Sequence, residues 1–145
     1  MVKFIIAIII GLTLVISSNI IGYYRGPFSI LATAVLPFII VAGVNYRLYK
    51  INFLAAVLYG YGILLLNDLL IRMYAGGTHD QVGKAWISLF TFIGFVLITS
   101  SMLVYAFTTV SVTEKINRKR ISNLLAVVIS GLLTATFYLR ILGDV

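Results

Sequence analysis

Cysteine is missing from this chain of 145 residues, and with it go disulfides, thiolate metal sites and thiol nucleophiles. Charge is also scarce. Only 10% of residues are Asp, Glu, Lys or Arg, against about a quarter in an ordinary soluble domain, and just four of these are acidic. There is one histidine, His79, so a metal site would have to be built almost wholly from carboxylates, and none is expected. Helix-borne metalloprotease, phosphate-loop and dinucleotide patterns are absent, as is any serine nucleophile with a base at recognisable spacing. No cofactor is implied.

What remains is apolar. Hydrophobic residues make up 61% of the chain and mean hydropathy is +1.11, more greasy surface than a soluble core of this size can hide. It falls into five runs, approximately residues 4–22, 28–46, 51–71, 86–110 and 121–142, separated by short turns that hold nearly all the charge. At 1.5 Å per helical residue such runs match the roughly 30 Å hydrocarbon layer of a bilayer. The expected fold is all-α: a single integral-membrane domain, residues 1–145, built as a polytopic bundle of five transmembrane helices. The connections are too short to fold as a second domain.

The first run follows Lys3 and resembles the apolar core of a secretory signal. Its apolar character resumes beyond Ser17-Ser18-Asn19 and no small-x-small cleavage site stands out, so a retained helix is expected; cleavage would leave four helices.

Net charge is +7, but the cations lie at the ends of the runs, where they orient helices and meet anionic headgroups; nucleic acid is not an expected partner. Lys3, Arg47, Lys50, Lys115, Arg118, Lys119 and Arg120 fall on one side, against Arg25, Arg72, Lys84 and Arg140 on the other. Because retained Lys and Arg mark the cytoplasmic face, the N-terminus is expected inside, as is the 114–120 turn, with residues 67–84 outside the cytoplasm. In a bacterium this would be the plasma (inner) membrane. In the basic turn, Lys115, Arg118, Lys119 and Arg120 serve as topology determinants first and as anionic-lipid contacts second. Tyr23, Tyr24, Tyr46, Tyr49, Tyr74 and Trp86 lie where amphipathic rings anchor at headgroup level.

Packing is readable from small residues, since lipid supplies no hydrophobic drive between helices. Ala126, Ser130 and Thr134, with Gly131 and Ala135 beside them, form a stripe expected to face protein. Pro37 is expected to free the carbonyl of Thr33 and kink the second helix. Thr99, Ser100 and Ser101 can bond back to their own helix or across to a neighbour. Helices one, two and five offer no further polar residues for a hydrophilic path.

The third run carries the one informative polar stretch. To span the bilayer it must extend to Ile71, which draws Asn67 and Asp68 to the edge of the hydrocarbon layer. A carboxylate there needs a partner, and Arg72 stands one turn along the same face, with Tyr61 two turns earlier. Asp68 and Arg72 are expected to pair at the outer membrane boundary. Ala75-Gly76-Gly77 reverses the chain, and Thr78-His79-Asp80-Gln81 fits a capping box opening helix four near His79.

Two readings of this stretch follow. In one it is a structural collar. In the other Asn67, Asp68, Arg72, His79 and Asp80 come together as a binding site, with Asp68 or His79 as candidate general base and Arg72 holding an anionic group. Three function classes are compatible, in this order: a noncatalytic subunit or scaffold contacting other membrane-protein chains or a second copy of itself, a small channel or carrier, and an enzyme acting on a lipid headgroup.

Overall fold

A computed structural model of the chain describes residues 2–25, 35–44, 52–74, 81–108 and 114–142. Apart from Asn52, every described residue is helical, which bears out the all-α expectation. The elements are α1 (Val2–Arg25), α2 (Val35–Val44), α3 (Phe53–Tyr74), α4 (Gln81–Thr108) and α5 (Glu114–Phe137), the last widening into a π-helical turn over Tyr138–Leu142. Four of them, α1, α3, α4 and α5, are long and apolar enough to cross a membrane. The described part of α2 is shorter than a crossing requires.

Asn52 starts α3: its side-chain Oδ1 accepts from the amide of Ala55 at 3.2 Å and its carbonyl from that of Ala56 at 3.1 Å, so the cap serves one amide of the first turn and the backbone ladder begins directly after it. From this cap α3 runs 22 residues, about 33 Å, through the centre of the bundle. Within its most apolar 18-residue stretch 56% of residues are buried, against 17% to 28% in the corresponding stretches of the other three long helices, because α1, α4 and α5 all pack against it.

Helix directions follow from the pairings. On α1, Ala7 meets Tyr59 and Asn19 meets Asn67, so α1 and α3 run parallel. Arg72 meets Ser88 while Tyr61 meets Thr99, so α4 runs antiparallel to α3. Tyr61 lies against Gly131 and Arg72 against Tyr138, so α5 is parallel to α3 again. This up-and-down order gathers Arg25, Arg72, Lys84 and Arg140 at one end, and Lys3 with the basic start of α5 at the other.

Close approach depends on small residues. The face that α1 buries is Ala7, Gly11, Val15, Asn19 and Gly22, a stripe recurring every three or four residues. A Cβ at Gly11 would collide with the Tyr59 hydroxyl and come within 2.9 Å of Ile63 Cδ1. The absence of that carbon lets Tyr59 donate to the Ala7 carbonyl at 2.9 Å. The expected small-residue stripe of α5 faces protein: Ser130, Gly131 and Thr134 are buried, with Ala126 and Ala135 half-buried. A Cβ at Gly131 would lie 3.0 Å from the Tyr61 hydroxyl. Tyr61 shares a 3.0 Å hydrogen bond with Thr99 and stacks on Phe95, so Thr99 bonds across to a neighbour. The opposite faces of α1, α4 and α5 present isoleucine, leucine, valine and phenylalanine outward, as a lipid-facing surface must.

Tyr23, Tyr24 and Trp86 are exposed at the end where Arg25 and Lys84 lie. Tyr46 and Tyr49 are outside the described residues, as is Thr33, on which the kink at Pro37 was expected.

Candidate functional site

Near its last turns α3 carries Asn67, Asp68 and Arg72, all three buried, and the helical repeat sends them in different directions. Adjacent residues are about 100° apart around a helix, whereas residues four apart nearly superpose. Asp68 and Arg72 therefore share a face and Asn67 does not.

Asp68 is inaccessible, and both its carboxylate oxygens are engaged. Arg72 Nε donates to Oδ2 at 2.8 Å, and Thr91 Oγ1 on α4 donates to Oδ1 at 2.6 Å. Arg72 Nη2 in turn donates to Ser88 Oγ on α4 at 3.0 Å and to Tyr138 Oη on α5 at 2.9 Å. One i,i+4 ion pair thus ties three helices. Arg72 Cζ also lies 5.8 Å from the Tyr138 ring centroid, near the limit of a cation–π contact, so the hydroxyl bond is the stronger part of that pairing.

The pair expected at the membrane boundary is present, but it faces into the bundle. The reason is energetic. A carboxylate and guanidinium at the edge of hydrocarbon gain more from three hydroxyl partners supplied by neighbouring helices than from each other alone. The π-helical turn beginning at Tyr138 is where α5 contributes its part of the cluster.

Asn67 turns instead toward α1. Asn19 Nδ2 donates to Asn67 Oδ1 at 3.2 Å and to the Val15 carbonyl at 2.9 Å. Asn67 thus pairs with α1 while Asp68 and Arg72 engage α4 and α5, about 100° away around α3. His79 and Asp80, the other expected members, lie outside the described residues. So do the side chains of Gln81 and Lys115; Arg118 and Lys119 are exposed and Arg120 half-buried at the start of α5. No group of three or more His, Asp or Glu that could hold a metal ion occurs among the described residues.

Sequence reasoning passed over Asn19, Ser88, Thr91 and Tyr138. Asn19, only 5% exposed, puts one buried polar group on helix one; in sequence it reads as part of a polar break with Ser17 and Ser18. A signal was available in its register: Ala7, Gly11, Val15 and Asn19 repeat every four residues, placing the amide on the small-residue face. For Ser88 and Thr91 the signal was fainter, two hydroxyls three apart opposite an expected ion pair.

Two cavities border these groups. One, of about 240 Å3, opens between α4 and α5 with almost wholly apolar walls, among them Leu64, Phe92, Phe95 and Leu139, and reaches Thr91 and Tyr138. The other, of about 400 Å3, lies between α1 and α3 and has Asn19 in its wall. No known protein family matches the sequence, and neither does any curated protein or solved structure.

Proposed function

We propose that this chain is a noncatalytic helical subunit or scaffold of a membrane, in which Asp68, Arg72, Ser88, Thr91 and Tyr138 are a polar lock holding α3, α4 and α5 in register. The observation that carries this reading is the state of Asp68: it has no exposed surface, and each carboxylate oxygen already accepts a hydrogen bond from the chain's own side chains. A general base must reach the proton it abstracts, directly or through one water. The lock leaves it no such approach.

Within this proposal the end bearing Arg25, Arg72, Lys84 and Arg140 faces away from the cytoplasm, and the basic start of α5 faces the cytoplasm, with Lys115, Arg118, Lys119 and Arg120 against anionic headgroups. The argument is the uneven sharing of cations between the two ends. The membrane is the plasma (inner) membrane if the source is bacterial. Partners are the lipid bilayer and other membrane-protein chains, or a second copy, through outward faces of which α1 is the most apolar.

A second reading, an enzyme acting on a lipid headgroup with Asp68, Arg72 and His79, draws support from the cavity that reaches Thr91 and Tyr138. It ranks lower because that cavity meets the hydrogen-bond partners of Asp68 and Arg72 while Asp68 itself stays sealed. A small channel or carrier requires a polar path through the bundle. The core around α3 is instead filled by Val57, Leu64, Ile98 and Met102, with no exposed surface to speak of.

The test is an apolar replacement of the lock, Asp68→Leu with Arg72→Met, in the organism of origin. If the lock is structural, a double variant that folds keeps wild-type migration on native gels, as part of an assembly larger than the monomer, and rescues the phenotype of a deletion. A folded variant that fails to rescue, from a chain that migrates as a monomer, overturns the noncatalytic reading and favours the enzyme.

A further inference from the structure

The cavity of about 240 Å3 between α4 and α5 opens on the lipid face, because Phe92 and Leu139 in its wall are 63% and 70% exposed. Small residues make the space: α5 presents Thr134 and Ala135 where α4 presents Phe92 and Phe95. Thr91 and Tyr138 also line it, yet the Thr91 hydroxyl is spent on Asp68 and the Tyr138 oxygen accepts from Arg72, so the lumen meets carbon almost everywhere. An apolar cavity larger than about 150 Å3 stays dry and takes up hydrocarbon that reaches it. In a bilayer the hydrocarbon that reaches it is an acyl chain.

The α4 side of this wall continues outward. Phe95, Thr91, Ser88 and Lys84 are spaced four, three and four residues apart, so they share one face of the helix, and Lys84 stands seven residues, about 10 Å, beyond Thr91. Lys84 is half-buried, and Trp86 in the same turn is an exposed ring of the kind that sits at headgroup level. The headgroup region is about 5 to 8 Å deep on each side of a bilayer, so a group 10 Å inward from Lys84 is already in hydrocarbon. Asp68, the one carboxylate at this end among the described residues, is held by Arg72. Arg25, Lys84 and Arg140 then leave a surplus of positive charge, which complements an anionic headgroup.

We propose that the seam between α4 and α5 seats an anionic phospholipid, with one acyl chain in the cavity among Phe92, Phe95, Ala135 and Leu139 and the phosphate against Lys84. Register supplies the match: the cation and the cavity lie on one face of α4, separated by the depth that divides a phosphate from its chain. The binding is noncovalent. Asp68 stays sealed behind Thr91, so the seat borders the polar cluster without opening it and is independent of whether that cluster is a lock or a site.

The experiment uses the full chain in nanodiscs of dioleoyl phosphatidylcholine, doped with photoreactive phosphatidylglycerol or photoreactive phosphatidylcholine that carry a diazirine midway along the same acyl chain. Peptide mass spectrometry reads labelling at residues 91–95 and 134–139 relative to Ile5, Ile6 and Ile9, outward residues of α1 that meet bulk lipid. Phosphatidylglycerol is expected to label the seam about fivefold more than phosphatidylcholine, the ratio that one cation near an anionic headgroup supports. Lys84→Gln is expected to lower it to the phosphatidylcholine level, and Lys84→Arg to keep it. Ala135→Phe, which fills the cavity and leaves Lys84 in place, is expected to abolish seam enrichment with both lipids, and it covers the case in which Lys84→Gln fails to fold. Equal labelling of the wild-type seam by the two lipids, a preference that survives Lys84→Gln, or enrichment that survives Ala135→Phe overturns the proposal. Seam labelling no greater than that of α1 overturns it too.

Discussion

Arg72 on α3 and Tyr138 at the end of α5, 66 residues apart in sequence, meet through a 2.9 Å hydrogen bond from Nη2 to the phenol oxygen. Because the same guanidinium holds Asp68 and Ser88, this contact converts a local i,i+4 pair into a clasp across three helices. The stability of the clasp is then shared among residues that can be removed one at a time.

Asp68→Ala leaves the Arg72 guanidinium buried with hydroxyls only, and an uncompensated buried charge costs about 3 to 5 kcal/mol. Asp68→Ala with Arg72→Ala removes both charges and is expected to recover part of that loss. Unfolding in detergent, followed by circular dichroism for the two single variants and the double, measures it. Additive losses would show that the pair is not coupled.

Tyr138→Phe keeps the ring and deletes only the hydroxyl that accepts from Arg72, for an expected cost of about 1.5 to 3 kcal/mol as a hydrogen bond to a charged group. Tyr23→Phe, on an exposed ring with no part in the clasp, is expected to change stability by less than about 0.5 kcal/mol. Equal melting temperatures for the two variants would remove Tyr138 from the clasp.

Gly11→Ala and Gly62→Ala should have opposite signs. At Gly11 the added methyl meets the Tyr59 hydroxyl and Ile63, displacing the bond to the Ala7 carbonyl, and α1 is expected to loosen from α3 at a cost of about 1 to 3 kcal/mol. At Gly62 nothing lies within 4 Å of the added carbon, so alanine is expected to stabilise α3 by about 0.5 to 1 kcal/mol through its better helix propensity. Detergent melting curves of the two variants decide it. Gly60→Ala falls between them, because the atom it meets is the flexible end of Met102.

Sidedness is open to direct labelling, since the chain has no cysteine of its own. Single cysteines at His79, between α3 and α4, and at Asn117, near the start of α5, are expected to react with an impermeant maleimide from opposite faces of sealed vesicles. Reaction of both from one face would contradict an odd number of crossings between them.

Several of these features were already legible in the linear order of residues. Apolar runs of membrane length, charges confined to turns, the Asp68–Arg72 spacing and the small-residue stripe on α5 are local properties, set by the 1.5 Å rise and the 3.6-residue repeat of one helix. Partners from other helices were not legible in this way. Asn67 and Asp68 are neighbours in sequence, yet they point about 100° apart around α3, one toward Asn19 and the other toward Thr91. Ser88 and Thr91 look like ordinary hydroxyls of a membrane helix until α4 is laid antiparallel to α3.

By itself the sequence determined that the chain is a bundle of apolar helices with its charges at the ends, because lipid admits no backbone that fails to satisfy its own hydrogen bonds. Tertiary structure alone decided that α3 is the hub, that its ion pair is clasped from α4 and α5, and that two asparagines meet beside a cavity. Rotation and register of one helix against another depend on side chains far apart in the chain, and no periodicity along a single segment encodes them.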